Sequence, residues 1–279
     1  MTKILCNAPT HAPTTALVRA IEANELDRFA YVSRLPGGEF HRSSRLTWFL
    51  TGIPYLLFNG VLSAHLPSEN ADRSISRVLA PFAARKLPMF WMTGPSTQPN
   101  DLGQRLLAAG LSDPGELVGM AADLATLRVV GPAPPGLIIE RVRDRRTLQR
   151  WVGAYCAGFA YPADVGRSFF AVFAGLGLAA RSPLLHYLGL VAGEPVATAS
   201  AFLGAGVVGI YSVATLPAWR RQGIGAAMTL APLRAARSCG YQIGILHAEP
   251  AGLSLYRRLG FREYCTLHPY LRSPEPGGA

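Results

Sequence analysis

Cysteine is scarce in this chain: Cys6, Cys156, Cys239 and Cys265 sit far apart, with no paired spacing. That excludes a disulfide framework and a zinc site, and it predicts reduced, packed thiols with no metal. No apolar segment followed by a small-residue cleavage site opens the sequence, so a cytoplasmic location is expected rather than secretion. No cluster of arginines and aromatics has the form of an RNA-binding module. Charged residues make up only 16% against 49% apolar, a composition that packs a core and excludes wholesale disorder. One uncharged stretch, residues 195–219, runs for 25 residues, enough to span a bilayer. However, Pro195 and Pro217 bracket it, "GAG" at 204–206 breaks it, and Thr198, Ser200, Tyr211, Ser212 and Thr215 make it polar. Two buried strands joined by a turn are expected there instead.

The chain has 279 residues, room for two domains. The segment "VVGPAPPGL", 129–137, carries three prolines and two glycines that interrupt both helix and sheet. It divides the chain into expected domains 1–131 and 137–279. The net charge of +10 is uneven: from Leu137 onward 15 arginines face 7 acids, whereas residues 1–136 are nearly balanced. Such a field favours anionic ligands, although the densest run, "ERVRDRRTLQR" at 140–150, reads as a solvated strand end and helix face.

Before the linker, "TTALVRAIEANELDRFAYVSRL" reads as a helix, "RLTWFLTG" and "PYLLFNGVLSAHL" as paired strands, "PMFWMTG" as a strand and "NDLGQRLLAAGL" as a helix. After it, apolar periodicity and glycine stops give the order β-α-α-β-β-β-α-β-α-β. A faint internal echo sets "PMFWMTG" and "DLGQRLLAAGL" beside "IYSVATLP" and "GAAMTLAPLRAARSCGY", the pattern a duplicated fold would leave. The fold class expected is α/β, with a mixed sheet.

The segment "RRQGIGAAMT", 220–229, places Gly223 and Gly225 at a helix start behind Arg220 and Arg221. Free amides at a helix N-terminus attract anions, and missing side chains let a bulky phosphate approach the main chain. A Walker A loop needs Lys followed by Ser or Thr, but Ala226 and Ala227 follow here. A Rossmann loop needs a third small residue where Met228 stands, although Glu249 imitates its ribose-binding acid. Downstream, "SLYRRLGFREY" completes a second motif. Together, "RRQGIGA" as Q/R-x-x-G-x-G/A and the later L-Y-x-x-x-G-F resemble the GNAT superfamily of N-acyltransferases over roughly Leu137 to Tyr264. The N-terminal domain resembles a degenerate copy of the same fold.

The resemblance implies acyl transfer from acyl-CoA to a primary amine of a small molecule. It implies an acyl-CoA site formed by Val213, Thr215, Arg220, Arg221, Gln222, Gly223, Ile224, Gly225 and Ala226. Tyr256 takes the place of the general acid. Glu249 stands where the family usually has Asn, putting a carboxylate near the reaction centre as a candidate base; His247, His186 and Tyr187 are further candidates. An acyl carrier protein or aminoacyl-tRNA donor, a non-catalytic acyl-CoA sensor, and a dinucleotide-binding protein stand as alternatives.

Overall fold

The computed structural model describes residues 14–129, 131 and 134–273. Along the chain run α1 (Thr14–Val32), β1 (Glu39–Arg42), β2 (Leu46–Leu50), β3 (Asn59–Ala64), α2 (Ala71–Ala84), β4 (Met89–Thr93), α3 (Leu102–Ala108) and β5 (Leu117–Asp123). Then come β6 (Leu137–Arg141), α4 (Arg145–Phe159), α5 (Ala163–Leu176), β7 (Leu184–Val191), β8 (Glu194–Gly204), β9 (Val207–Thr215), α6 (Ile224–Ser238), β10 (Ile243–Ala248), α7 (Leu253–Leu259) and β11 (Arg262–Arg272). The element order expected after the linker is matched throughout, and the uncharged stretch is the β8–β9 hairpin, turning at Ala205 and Gly206 with positive φ at both. Among the described residues, no helix is long and apolar enough to cross a membrane. Cys6 and the first residues of the chain lie outside the described residues.

The chain forms two contact units, and they do not follow the linker. One joins residues up to Asn24 to Val118–Tyr264; the other joins Glu25–Leu117 to residues from Cys265 on. The reason is strand pairing. β5, which precedes the linker, pairs antiparallel with β10, and the far end of β11 pairs antiparallel with β4. A strand needs a partner for its backbone groups wherever one is available, and sequence distance does not restrict the choice.

In the C-terminal unit the strands run β5-β10-β9-β8-β7-β6, with only β9 and β10 parallel among them. Alternation of side chains sorts the two faces. Tyr187, Ala199, Ala201, Val208, Ile210 and Leu246 pack with Met228 and Leu233 of α6, and Leu253, Leu255 and Tyr256 of α7 pack against that same cluster. On the opposite face His186 meets Trp151 of α4 and Phe173 of α5, each at 4.5 Å between rings. Trp151 donates from its indole to Tyr187 O at 3.0 Å and to Ala199 O at 3.3 Å, which satisfies its polar edge in the core. Asp144 caps α4 by accepting from Thr147 N at 2.7 Å.

The N-terminal unit has antiparallel β1-β2-β3, then β4 parallel to β3. Phe29, Phe49 and Phe90 form one cluster, and Val61, Trp91, Phe82 and Leu102 belong to another. The helix α2 is an addition to the elements expected from sequence: Pro81 lies inside it, yet Ile75, Val78, Leu79 and Phe82 are buried along one face. Pairing also corrects the internal echo. The parallel crossover β3-α2-β4 corresponds to β9-α6-β10, so the counterpart of α6 is α2 rather than α3.

Candidate active site

Two strands that start paired and then separate frame the site. β9 and β10 share three parallel rungs, Val208–Gly244, Gly209–Ile245 and Ile210–Leu246, yet β9 continues to Thr215 and β10 to Ala248. Beyond Ile210 a slot therefore opens between them. On its other side β9 bulges: Thr198 faces Ala214 and Ser200 faces Tyr211, so one extra β9 residue is accommodated opposite Ala199. Ser212 adopts φ of 53°, and its carbonyl accepts from Thr198 Oγ1 at 2.9 Å. The bulge takes main-chain groups of Val213 out of the regular ladder. No local signal announces it, because serine has only a weak tendency toward left-handed backbone.

Past Thr215 the chain makes a short 3-10 turn at Pro217–Trp219 and reaches α6. Arg221 has φ of 65° and Gly223 φ of 80°. Gly223 is the helix cap, and no side chain caps α6. The bond from Ala227 N to Gly223 O, 3.1 Å, is the first of the helix, so the amides of Ile224, Gly225 and Ala226 lie ahead of the helical ladder. The Ile224 and Ala226 side chains are buried in the core, so those residues have only their main chain to offer. A Cβ at Gly225 would meet Leu255 at 3.5 Å and Thr215 Oγ1 at 3.7 Å, ordinary contacts. Gly223 is required by backbone conformation; Gly225 keeps the approach to the amides open. Gln222 is exposed and its Nε2 lies 3.4 Å from Ala218 O. Arg220 is different from expectation: its guanidinium donates to Thr215 O and to Gly158 O, both at 3.1 Å.

On α7, Tyr256 is half-buried with its ring edge-on to Phe261 at 6.1 Å. It leans on Gly252, where a Cβ would come within 2.9 Å of Cε2. Burial, and secondarily the negative charge of Glu249, push the phenol up to about 12. The structure thus brings Tyr256 and Glu249 into one neighbourhood. Glu249 itself is exposed at the end of β10, opening the 250–252 turn. His247 alternates to the other face from Leu246 and Ala248, edge-on to Tyr211 at 6.1 Å. Two candidates are displaced. His186 is 3% exposed, bonded through Nδ1 to Ser200 Oγ at 2.8 Å, and burial lowers its pKa to about 3. It is a neutral core residue. Tyr187 is likewise buried, with its pKa raised by burial.

Residues 185–263, from β7 into β11, match the family described as the acetyltransferase (GNAT) domain. That segment of the chain is a GNAT domain. The matched GNAT segment contains the slot, the bulge, the amide loop and α7. Solved structures share the fold over nearly the whole chain. A GCN5-related N-acetyltransferase from Kribbella flavida is similar at 22% identity and TM-score 0.70, covering 94% of this chain and 96% of its own. One from Sphaerobacter thermophilus gives 16% identity and TM-score 0.58, with 98% and 96% covered. A tandem GNAT protein from the clavulanic acid biosynthesis pathway gives 13% and 0.55, with 95% and 96% covered. No curated protein matches by sequence.

Proposed function

We propose that the C-terminal unit transfers an acyl group, acetyl or longer, from acyl-CoA to a primary amine of a small molecule. The observation that carries this reading is the continuity of three features on one path: the slot beyond Ile210, the bulge at Ser212–Val213, and the uncapped start of α6. The fit to acyl-CoA is chemical. Three forward amides, the positive end of a fifteen-residue helix and a glycine without side chain suit a diphosphate. A flat slot lined by main chain suits the pantetheine arm. The amides of Val213, in the bulge, and Thr215, two residues beyond it, are the donors for the oxyanion that develops as the amine attacks, an interaction worth ~3 kcal/mol of barrier.

Tyr256 closes the reaction at the sulfur. With its pKa pushed up to about 12, the phenol stays protonated at every physiological pH. Full transfer of its proton to a thiolate of pKa about 8.5 would be uphill by roughly 5 kcal/mol. Its role is therefore hydrogen-bond donation to the leaving sulfur, with the protonated amine nitrogen of the tetrahedral intermediate as the more acidic proton source: that proton passes to the sulfur as the C–S bond breaks and the neutral amide forms. Glu249, exposed beside it, orients or deprotonates the incoming amine, which at a pKa near 10.4 is only about 0.1% neutral at pH 7.

The N-terminal unit is read as a degenerate second copy, supported by its parallel β3–β4 crossover. Cys156, Cys239 and Cys265 as separate thiols support a cytoplasmic setting. The test is a thermal-shift screen against acetyl-CoA, longer acyl-CoAs, carrier-linked donors and NAD, followed by amine-dependent release of free thiol. Acyl-CoA is expected to raise Tm in proportion to the logarithm of its concentration. Stabilisation by NAD alone, or turnover only with carrier-linked donors, would replace this reading with one of its alternatives.

A further inference from the structure

The sequence presents Arg220 and Arg221 as twin cations for a phosphate, but the structure separates them. Arg221 is exposed, and among the described residues no ion pair involves it. Arg220 instead spreads its planar fork over two carbonyls of different elements. Nε reaches Thr215 O, at the end of β9, and Nη2 reaches Gly158 O, in the last turn of α4. Helices leave their last carbonyls without a partner, and a guanidinium is well shaped to take one while holding a second acceptor. The junction it closes is tight. A Cβ at Gly158 would sit 2.7 Å from Ala214 Cβ, so α4 approaches β9 this closely only because residue 158 is glycine. Ala214 directly follows the bulge.

Immediately beyond Gly158 come two half-buried rings. Phe159 and Tyr161 stack with centroids 5.4 Å apart and planes within 11°. Tyr155 backs both of them edge-on, at 5.1 Å and 5.5 Å. The α4–α5 connection thus presents an aromatic wall whose distance from the bulge is set by Gly158 and held by Arg220.

We propose that Arg220 is a positioning residue, a latch that holds the end of α4 and its Phe159–Tyr161 pair against the bulged strand, and that Arg221 alone of the two supplies cationic charge to the donor. The second half rests on the acyl-CoA reading; the first does not. A latch of this kind couples the wall beside the reaction centre to the loop that receives the donor, because one side chain ties Gly158, Thr215 and its own position in that loop together.

Calorimetry with acetyl-CoA, at low and high salt, paired with amide hydrogen exchange over 156–166, tests both halves. Arg220→Ala is expected to change the acetyl-CoA Kd less than about three-fold and to raise exchange at Ala160 and Tyr161, whose amides bond back to Ala157 and Cys156. Arg221→Ala is expected to weaken acetyl-CoA about ten-fold at low salt, less at high salt, without altering exchange. Arg220→Lys keeps the charge and loses the fork, so its exchange should match Arg220→Ala and its Kd the wild type. If Arg220→Ala weakens acetyl-CoA ten-fold while Arg220→Lys does not, with exchange unchanged in both, Arg220 is a phosphate ligand and the latch is overturned. Gly158→Ala attacks the junction from the other side with every cation in place; unchanged exchange in that variant also overturns it. Absence of acetyl-CoA binding by the wild type would reject the donor reading, while the exchange data would still decide the latch.

Discussion

In the C-terminal unit β9 reaches α6 through "LPAWRRQG", and in the N-terminal unit β3 reaches α2 through "HLPSEN". Both strands bulge by one residue before the helix: Ser212–Val213 against Ala199, and Leu62 in the step from Val61 to Ser63 opposite Trp48 and Thr47. Both are parallel to the next strand for only two or three rungs. Past the bulge the two chains of residues diverge. At the start of α6 stand two arginines and two glycines; at the start of α2 there is no glycine, Glu69 precedes the helix and Asp72 is its second residue. The slot differs too. Gln98 N donates to Ala64 O and Leu66 N donates to Gln98 O, both 2.9 Å, so the N-terminal opening is stitched by its own main chain. Both units keep the bulge, whereas the arginine- and glycine-rich helix start is a local property that few substitutions remove.

That contrast can be broken deliberately. Gly225 and Asp72 occupy the same place, second residue of their helices. Gly225→Asp would copy the N-terminal condition into the C-terminal unit. A Cβ there makes only ordinary contacts, and a carboxylate in the first turn stabilises a helix by 0.3 to about 1 kcal/mol, so Tm should hold or rise slightly. Repulsion between a carboxylate and a diphosphate ~4 Å away in a partly buried site is about 4 kcal/mol, so acetyl-CoA affinity should fall roughly 1000-fold by calorimetry. An unchanged Kd would show that the donor does not use these amides.

A smaller effect is expected at Tyr256. Tyr256→Phe keeps the ring against Gly252 and removes the donor, so kcat should fall about 100-fold with the acetyl-CoA Kd unchanged. Because the phenol's pKa is raised to about 12, wild-type kcat should show no loss from its ionisation below pH 10. Between pH 10 and 12 the unfolded chain loses this proton while the folded one keeps it, so this contribution to stability disappears as pH rises through that window.

Next comes acid sensitivity, which should belong to the C-terminal unit. Burial lowers His186 from 6.5 to about 3, so below pH 6.5 the unfolded chain binds a proton that the folded chain refuses. Stability should fall as pH drops through that window, by about 2 kcal/mol at pH 5 relative to pH 7. Denaturant titrations at both pH values should show this difference in the wild type, and most of it should vanish in His186→Leu, whatever that variant's baseline.

How much of the molecule the sequence discloses depends on the range of each interaction. The order from β6 to β11 is legible because apolar period and glycine stops are local, and Gly223 is legible because left-handed backbone is written in a residue type. Strand exchange is not: nothing within "LVGMAAD" says that β10, more than a hundred residues on, completes its ladder. The helix α2 hides behind Pro81, and His186 passes for a candidate base because spacing does not report burial. Arg220 shows the same limit of range. A sequence gives the charge of a guanidinium, and only the folded chain shows which carbonyls it faces.

The smallest expected effect is the most discriminating. If the charge at the helix start alone separated the units, Asp72→Gly would begin to give the N-terminal unit donor binding. Gln98 predicts otherwise, since its two main-chain bonds hold the opening beside β3 closed whatever the charge at the helix start. Asp72→Gly should therefore leave acetyl-CoA stoichiometry at one per chain, and its cost should be confined to stability: the lost Arg105 contact at 3.0 Å, an exposed pair worth less than about 1 kcal/mol, the lost first-turn carboxylate and the lower helix propensity of glycine, about 1 kcal/mol. A second calorimetric site in that variant would mean that charge, rather than the stitched slot, keeps the N-terminal unit from binding.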